Sequence, residues 1–358
     1  MSLRVSAAAV ALLLLSAATL RAQAVRGEVV DDGGRPVAAA FVILQGAAGI
    51  SVARALSDSA GGFVLRAGGP GTYTLRAERI GYASAVSPPL RLEEGAVLPF
   101  RMVVAGKAVA LEAIVVGGAT TCAVRARDDA AAAALWEEAR KALAVSAWTE
   151  HAESLHVVAT EFARTLDRRG RRVVSGESRN YEGPTLNPFV TLAPEELARA
   201  GYRRVEGDVA WYYAPDALVL LSDGFLDTHC FHTERGRGET RGLLGLAFEP
   251  VRGRRVTDVA GTLWIDPRTA ELRHLEFRYR NLPREDDWRG VGGRVEFRRL
   301  PTGAWIIERW YLRMPEVGRS FAGRMVLRGY RDVGGEVHSV SRRRPAADSV
   351  AAPSPEVR

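Results

Sequence analysis

Hydrophobic and polar residues alternate along much of the chain between positions 156 and 314. In the stretch ELRHLEFRYR, residues 271–280, the apolar side chains Leu275, Phe277 and Tyr279 occupy every second position. A period of two places such side chains on one face of a β-strand and the polar side chains on the other. The pattern therefore predicts a half-buried antiparallel meander.

Four strand pairs are expected, because turn residues separate the alternating segments. They are HVVATEFARTL with RRVVSGESRNY, DVAWYY with ALVLL, AGTLWID with ELRHLEFRYR, and GGRVEFRRL with AWIIERWYLRM. The segment PEELARA interrupts the alternation, and we predict a short helix there that ends at Gly201.

A helical period precedes the meander in the segment RDDAAAAALWEEARKALAVSAW. Asp128 or Asp129 can cap its first turn. One face of this helix carries the apolar residues Leu135, Trp136, Ala139, Ala142 and Leu143. A helix with such a face packs against another element, so we expect it to lie on the meander and to form an ordinary filled core with it.

The first part of the chain, from residue 25 to about 104, consists of short strand-like segments separated by glycine-rich turns. They are VRGEVV, AAFVIL, GGFVLRA, TYTLRAERI and LPFRMVV. Short strands at this spacing predict an antiparallel β-sandwich.

These segments resemble the carboxypeptidase regulatory-like domain, which is a transthyretin-like β-sandwich. The resemblance rests on VRGEVVDDGGRPVAAAFVIL, on DSAGGF at residues 58–63 and on GGPGTYTLRAERIGY, and it covers residues 25–105. It implies a binding or spacing module, because the domain carries no catalytic machinery.

The motif residues are expected to form tight turns and to direct the chain into the core. Asp58 can cap a tight turn that Gly61 completes with a positive φ, after which Phe63 enters the core. The same function at later turns, with tyrosines packed near the glycines, is expected for Gly71, Tyr73, Gly81 and Tyr82.

Two further resemblances concern the rest of the chain. The segment ALEAIVVGG, residues 110–118, is similar to the junction after this sandwich in outer-membrane TonB-dependent receptors. A receptor barrel of about 22 strands would not fit in the remaining residues, so we interpret the segment as a last strand and a linker. The helix and meander resemble, in architecture only, the half-barrel of periplasmic lipoprotein-carrier proteins.

The predicted fold is mainly β, with a transthyretin-like β-sandwich followed by an α+β domain in which a long helix packs on an antiparallel meander. The expected boundaries are a signal peptide at 1–24, the sandwich at 25–105, a linker at 106–126, the helix-plus-meander domain at 127–340 and a tail at 341–358. The tail has few apolar residues, which predicts disorder.

The first residues have the organisation of a secretory signal peptide. Arg4 precedes the apolar run AAAVALLLLSAATL, and Ala22-Gln23-Ala24 offers small residues for cleavage after Ala24. The run is shorter than the ~20 residues of a spanning helix, and no lipobox cysteine adjoins the site. We therefore expect an exported protein, periplasmic or associated with the outer membrane.

Composition and charge narrow the possible partners. The chain is 47% hydrophobic and 25% charged, which is typical of folded proteins. Its net charge of +7 comes from arginines spread along the chain, with short clusters at 168–172, 252–255 and 342–344. Such a spread indicates a solvated surface and no nucleic-acid partner. An envelope protein or a glycan is the expected partner, and a weak attraction to anionic envelope lipids stays open.

The motifs of hydrolytic enzymes are missing from the sequence. No histidine starts the H-x-x-E pair of zinc carboxypeptidases, and H-E-x-x-H does not occur. The segment GRSFA at 318–322 is weakly similar to a nucleophile elbow, but it lies between meander strands instead of at a strand-to-helix turn. We expect no catalytic residue, no metal site, no cofactor and no enzymatic activity.

The stretch THCFH places Cys230 between His229 and His232. Neighbours on a strand point to opposite faces, so only Cys230 and His232 could bind one metal together. In an oxidising compartment Cys230 is expected to pair with the other cysteine, Cys122. We favour a Cys122–Cys230 disulfide with the histidines as flanking surface residues, and a metal site and free thiols are the alternatives.

Three functions fit the sequence. The favoured one is an exported, non-catalytic binding or scaffold protein of the bacterial cell envelope, with a glycan or protein partner. The second is a periplasmic carrier that shelters an apolar ligand or lipid between helix and meander. The third is a metal-dependent hydrolase centred on THCFH.

Overall fold

The computed structural model describes residues 23–105, 111, 129–151, 155–184, 191–207, 209–283, 290–321 and 325–342. The chain divides into two compact units, residues 1–107 and residues 108–358. The predicted signal peptide, most of the linker and the tail after residue 342 lie outside the described residues.

The first unit is a β-sandwich. Its strands are β1 (Ala24–Asp31), β2 (Phe41–Gln45), β3 (Ser51–Leu56), β4 (Gly62–Arg66), β5 (Gly71–Glu78), β6 (Ala85–Val86), β7 (Leu90–Leu92) and β8 (Val97–Val104). One sheet has the order β4-β1-β8, and the other joins β3, β2, β5 and β6, with β7 also paired to β5. The sheets enclose a core that includes Val29, Leu44 and Leu75. The pair β1–β8 is parallel, unlike the antiparallel pairing that the sequence predicts.

The turn before β4 depends on Asp58 and Gly61. The Asp58 carboxylate oxygen Oδ1 accepts hydrogen bonds from the backbone nitrogens of Ala60 at 2.9 Å and Gly62 at 2.8 Å. Gly61 has a φ of +77°, and an added Cβ would lie 2.4 Å from the carbonyl oxygen of Val29. Glycine is therefore required there on two grounds, and the chain then enters the core at Phe63.

The later glycines differ from one another. Gly81 has a positive φ of +80°. Gly71 does not, so the expectation that Gly71 is a left-handed turn residue is wrong. It begins β5 instead, where an added Cβ would lie 3.4 Å from the Tyr73 ring. The hydroxyl of Tyr73 donates to the carbonyl oxygen of Gly69, and the guanidinium of Arg79 lies over the ring of Tyr82.

The start of β1 bears on the predicted cleavage site. The Gln23 side chain is buried and donates to the carbonyl oxygen of Ala67, and Ala24 is the first residue of β1. Cleavage after Ala24 would remove both residues from the sandwich, whereas cleavage after Ala22 would keep them.

The second unit begins with a long helix and continues into strands. The helices are α1 (Ala130–His151), α2 (Pro194–Ala200), α3 (Ala217–Leu221) and α4 (Asp223–Thr228). The strands are β9 (Leu155–Leu166), β10 (Val173–Gly183), β11 (Arg203–Glu206), β12 (Val209–Tyr212), β13 (His229–Arg235), β14 (Leu244–Pro250), β15 (Asp258–Ile265), β16 (Leu272–Arg280), β17 (Gly292–Arg299), β18 (Trp305–Arg319) and β19 (Met325–Arg342).

Nine of these strands form one antiparallel sheet in the order β10-β9-β19-β18-β17-β16-β15-β14-β13. Three of the four predicted pairs are present, namely β9–β10, β15–β16 and β17–β18. The prediction of a mainly β fold with an antiparallel meander is therefore confirmed.

The fourth predicted pair is wrong. Strand β12 pairs with β11 and not with the segment ALVLL, which forms helix α3. The Asp216 side chain caps this helix by accepting a hydrogen bond from the backbone nitrogen of Val219 at 2.7 Å. A run of five apolar residues fits a strand and a helix equally well, and the capping aspartate decides between them.

Helix α1 packs against β13–β16 and β18 of the sheet and against α3. Its first turn is capped by Asp129, whose side chain accepts from the backbone nitrogen of Ala132. Four of the five predicted face residues are fully buried, and the fifth, Trp136, contacts the ring of Phe231 at a centroid distance of 6.0 Å. The cavity that touches the last turn of α1, at Thr149, has a volume of only about 30 Å³.

Helix α1 also buries an ion pair that the sequence analysis does not anticipate. The Lys141 ammonium lies 2.7 Å from the Glu138 carboxylate, and neither side chain is more than 2% exposed.

Within the described parts of the chain, no helix combines the length and the apolar character that spanning a membrane requires.

Candidate ligand groove on the second sheet

The imidazole of His229, the first residue of β13, is buried and has structural contacts. Its Nδ1 lies 3.0 Å from the carbonyl oxygen of Phe225, and its Nε2 lies 3.0 Å from that of Val259 and 3.2 Å from the Asp258 carboxylate. The ring also stacks on Phe225. The expectation of a surface histidine is therefore wrong for His229, because α4 covers the start of β13.

These contacts leave His229 no nitrogen for a metal ion, since both nitrogens face oxygen acceptors. The carboxylate of Asp258 is itself held by the Arg254 guanidinium and by the backbone nitrogen of Val259. Among the described residues, no three of the histidine, cysteine, aspartate and glutamate side chains are grouped so as to hold a metal.

Cys230 and His232, the two residues that could bind one metal together, lie on the opposite side of β13 from His229. Cys230 is almost fully buried, and His232 is partly exposed. Cys122 lies outside the described residues, so the Cys122–Cys230 disulfide stays a prediction.

His232 lies on the sheet face that is turned away from α1, which we call the open face. The antiparallel register places His232, Thr262, Glu276, Arg294 and Tyr311 in one row across β13 to β18, with Ala247 between the first two. Alternation puts the apolar residues that adjoin this row in sequence, such as Phe277 after Glu276, on the face toward α1.

A groove of about 690 Å³ lies on the open face. Its lining includes the row just described and the neighbouring positions Glu234, Trp264 and Arg278. A second cleft of about 540 Å³ continues from it across Arg294 to His274 and the turn after β17. Volumes of this size are typical of small-ligand sites.

Charged side chains in the groove pair with one another. Arg294 bonds to the carboxylates of Glu276 and Glu296, and Arg309 joins Glu296 to Glu336 on the next strand. The neighbouring His274 and then the Arg294 guanidinium hold the pKa of Glu276 below its ordinary value. Glu276 is therefore an ionised acceptor at neutral pH.

Two ring nitrogens at the floor of the groove and cleft make no well-formed hydrogen bond in the described structure. They are Nε1 of Trp264 and Nε2 of His274, on side chains that are only 7% and 6% exposed. The Nε2 atom of His274 lies 3.5 Å from the Glu276 carboxylate, which is too long for a well-formed hydrogen bond. Buried polar groups are nearly always paired, so two neighbouring exceptions in a groove point to a ligand or a bound water.

Tyr311 forms the aromatic wall of the groove, and 39% of its surface is exposed. Partial burial raises the pKa of its phenol, so the hydroxyl stays protonated and can donate a hydrogen bond at neutral pH. The groove thus combines an accessible ring, donors and carboxylate acceptors.

The sequence alone does not predict this groove. His274, Glu276 and Arg278 are recognisable as the polar face of one strand, but their assembly with Trp264 and Tyr311 depends on the register of six strands. Alternation predicts which face a residue lies on, not which residues of other strands lie beside it.

Residues 24–105 match the family model of the carboxypeptidase regulatory-like domain. The first unit therefore belongs to this family, and the resemblance recognised in its turn residues is confirmed. The match covers less than a quarter of the 358 residues, so it identifies the first unit alone. A comparison with curated proteins finds no match to the chain.

Solved structures give weak similarities. The 3-chlorocatechol 1,2-dioxygenase of Rhodococcus opacus 1CP aligns at 16% identity over 23% of this chain and 58% of its own, with a TM-score of 0.19. The 5-hydroxyisourate hydrolase of Klebsiella pneumoniae aligns at 19% identity over 24% of this chain and 92% of its own, with a TM-score of 0.19.

The major pilin subunit BcpA of Bacillus cereus aligns at 10% identity over 87% of this chain and 95% of its own, with a TM-score of 0.21. The chain spans little more than half of the dioxygenase. All three TM-scores are far below 0.5, so these similarities say nothing about the function of this chain.

Proposed function

We propose that the protein is an exported, non-catalytic binding protein of the bacterial cell envelope. Its first unit serves as a docking or spacing module, and the open-face groove of its second unit holds the ligand. Export is supported by the signal-like first residues, and the docking role by the regulatory character of the matched family.

The observation that carries the proposal is the pair of buried ring nitrogens of Trp264 and His274, neither of which makes a well-formed hydrogen bond in the described structure. A ligand with oxygen acceptors would satisfy both, and a bound hydroxyl could in turn donate to Glu276. Leaving a buried donor unpaired costs on the order of 1–3 kcal/mol, which a ligand would recover on binding.

The charge of the groove indicates the ligand class. The groove and the cleft together are lined by seven carboxylates and five guanidinium groups: Glu234, Glu239, Glu249, Glu271, Glu276, Glu296 and Glu308, against Arg273, Arg278, Arg294, Arg298 and Arg299. An anionic ligand is therefore disfavoured. A neutral glycan fits best, because its hydroxyls both donate and accept while its apolar ring face can stack on Tyr311.

The packing of α1 does not favour the carrier function. Leu135, Ala139 and Leu143 are fully buried against neighbouring elements. The cavity of about 30 Å³ beside Thr149 is far smaller than the several hundred Å³ that a lipid chain would need. These observations support the filled core.

The proposal is tested by screening the mature protein against neutral oligosaccharides, including maltotriose and chitotriose, and by titration calorimetry on those that bind. Tyr311→Ala should weaken binding at least tenfold because the stacking surface is lost. Trp211→Ala is the matched control, since it removes an exposed aromatic ring from β12, outside the groove. Equal losses in the two variants, or binding to no oligosaccharide, would overturn the proposal.

A further inference from the structure

The turn between β9 and β10, residues 167–172, has four arginines among its six residues. Arg168, Arg169, Arg171 and Arg172 are all exposed. The one carboxylate of the turn, Asp167, accepts hydrogen bonds from the backbone nitrogens of Arg171 and Arg172. Its carboxylate is thus engaged by backbone groups, and the turn has a net charge of +3.

None of these four guanidinium groups has an ion-pair partner among the described residues. Elsewhere on the same sheet, some exposed arginines pair with carboxylates, as Arg179 does with Glu161 and Arg309 with Glu296 and Glu336. Other exposed arginines have no ion-pair partner among the described residues, but each lies on a different strand: Arg164, Arg235, Arg278 and Arg331. The 167–172 turn differs from these because it groups four such arginines within six residues.

Apolar side chains lie at the same end of the sheet. Val173 and Val174 follow the turn directly and are 50% and 62% exposed. Phe321, at the tip of the β18–β19 hairpin, is fully exposed. We call the four arginines with these three residues the basic end.

The sheet register places the β18–β19 hairpin and the turn at the same end of the sheet. Leu166, the last residue of β9, pairs with Tyr330 of β19, and an added Cβ on Gly170 would lie 3.3 Å from the Tyr330 ring. From Tyr330 the β18–β19 hairpin continues five residues farther in the same direction, to Met325, which is about 17 Å of strand.

We propose that the basic end docks on the surface of an anionic phospholipid bilayer. Uncompensated arginines are attracted to anionic headgroups, and exposed valine and phenylalanine side chains can enter the interface. A soluble polyanion would use the arginines but would leave Phe321 and the valines in water, so the bilayer fits the whole set. The basic end does not share a residue with the groove, so the two proposals are independent.

Vesicle co-sedimentation of the mature full-length protein tests the inference. Vesicles of phosphatidylcholine with about 30% phosphatidylglycerol should bind the protein at low salt and release it at high salt, and vesicles of phosphatidylcholine alone should not bind it. The double variant Arg171→Gln/Arg172→Gln should lower the partition coefficient about 25-fold, or about fivefold for each arginine near an anionic surface.

The matched control is Arg252→Gln/Arg255→Gln. It removes two exposed arginines that have no ion-pair partner in the described structure, at residues far from β9 in sequence, and it changes the net charge equally. The control should keep most of the binding, and Phe321→Ser should lose binding while Ile50→Ser in the first unit should not. Three results would overturn the proposal: equal losses in the two double variants, no binding to phosphatidylglycerol vesicles, or binding of dextran sulfate without binding of vesicles.

Discussion

Trp264 of β15 and His274 of β16 are direct neighbours across the two strands, with ring centroids 6.3 Å apart. Each buries a ring nitrogen that makes no well-formed hydrogen bond in the described structure, and the nearest acceptor of His274 Nε2 is the Glu276 carboxylate at 3.5 Å. Two such nitrogens side by side, one lining the groove and the other the adjoining cleft, are costly to an unliganded protein. We therefore place the ligand over this pair.

The buried ion pair in α1 should be far more important for stability than the partly exposed pair beside it. Lys141→Met should lower the free energy of unfolding by about 3–5 kcal/mol, because it removes one partner of a buried ion pair. Arg140→Met is the control, since the pair of Arg140 with Glu137 has the same spacing in the same helix but is partly exposed to solvent. Its cost should be within about 0.5 kcal/mol.

Urea denaturation of the two variants measures this difference. Equal costs for Lys141→Met and Arg140→Met would contradict the burial of the first pair. The double variant Glu138→Leu/Lys141→Met should be more stable than Lys141→Met alone, because it also removes the buried carboxylate.

Truncating the two histidines of THCFH should reduce stability by very different amounts. His229→Ala should cost about 2–4 kcal/mol, because it removes a buried ring that bonds to Phe225 and Val259 and contacts Asp258. His232→Ala should change stability by less than about 0.5 kcal/mol, since this side chain is partly exposed. Thermal unfolding of both variants checks the ranking, and a larger loss for His232→Ala would contradict the structure.

The stability of the second unit should depend on the ionisation of Glu276 in acid. Its pKa is held below the ordinary value of 4.5 by His274 and Arg294, so folding favours the ionised form. The resulting stabilisation is complete above pH 4.5 and is lost as the pH falls through the lower, folded-state pKa. The difference in unfolding free energy between wild type and Glu276→Gln should therefore shrink as the pH falls below 4.5.

Denaturant titrations of both proteins at a series of pH values measure this difference. Glu308→Gln is a suitable control, because Glu308 has an arginine partner on the same sheet but lies outside the His274 contact. A difference for Glu276→Gln that grows as the pH falls would contradict the predicted sign.

The disulfide between Cys122 and Cys230 is testable on protein exported to the periplasm. Its mass under non-reducing conditions should be two hydrogen atoms below that of the reduced protein. Closing a loop of about 100 residues could stabilise the fold by up to about 4–5 kcal/mol, so reduction should lower the unfolding temperature. Two thiols that react with iodoacetamide in the native protein would be the opposite result.

The sequence predicts elements better than their assembly. Alternation locates Leu275, Phe277 and Tyr279 on one face of β16, because strand geometry is local. It misassigns ALVLL, since five apolar residues carry too little periodicity to separate helix from strand. The capping aspartate Asp216 was the available signal.

Long-range contacts explain the remaining differences. His229 is buried because α4 folds over β13, and the local sequence around THCFH does not indicate this burial. The groove brings Trp264 and Tyr311 together through strands whose register is fixed only by the complete sheet. Such a site becomes visible when the strands are paired.

The most direct test of the account is the affinity of Trp264→Phe for the best neutral oligosaccharide found in the screen, measured by titration calorimetry. This variant keeps an aromatic ring and removes the unpartnered nitrogen, so binding should weaken about tenfold, the equivalent of one hydrogen bond. Trp310→Phe, which changes a buried tryptophan on the face toward α1, should bind as the wild type does. Unchanged binding in Trp264→Phe, or an equal loss in Trp310→Phe, would contradict the claim that Trp264 holds the ligand.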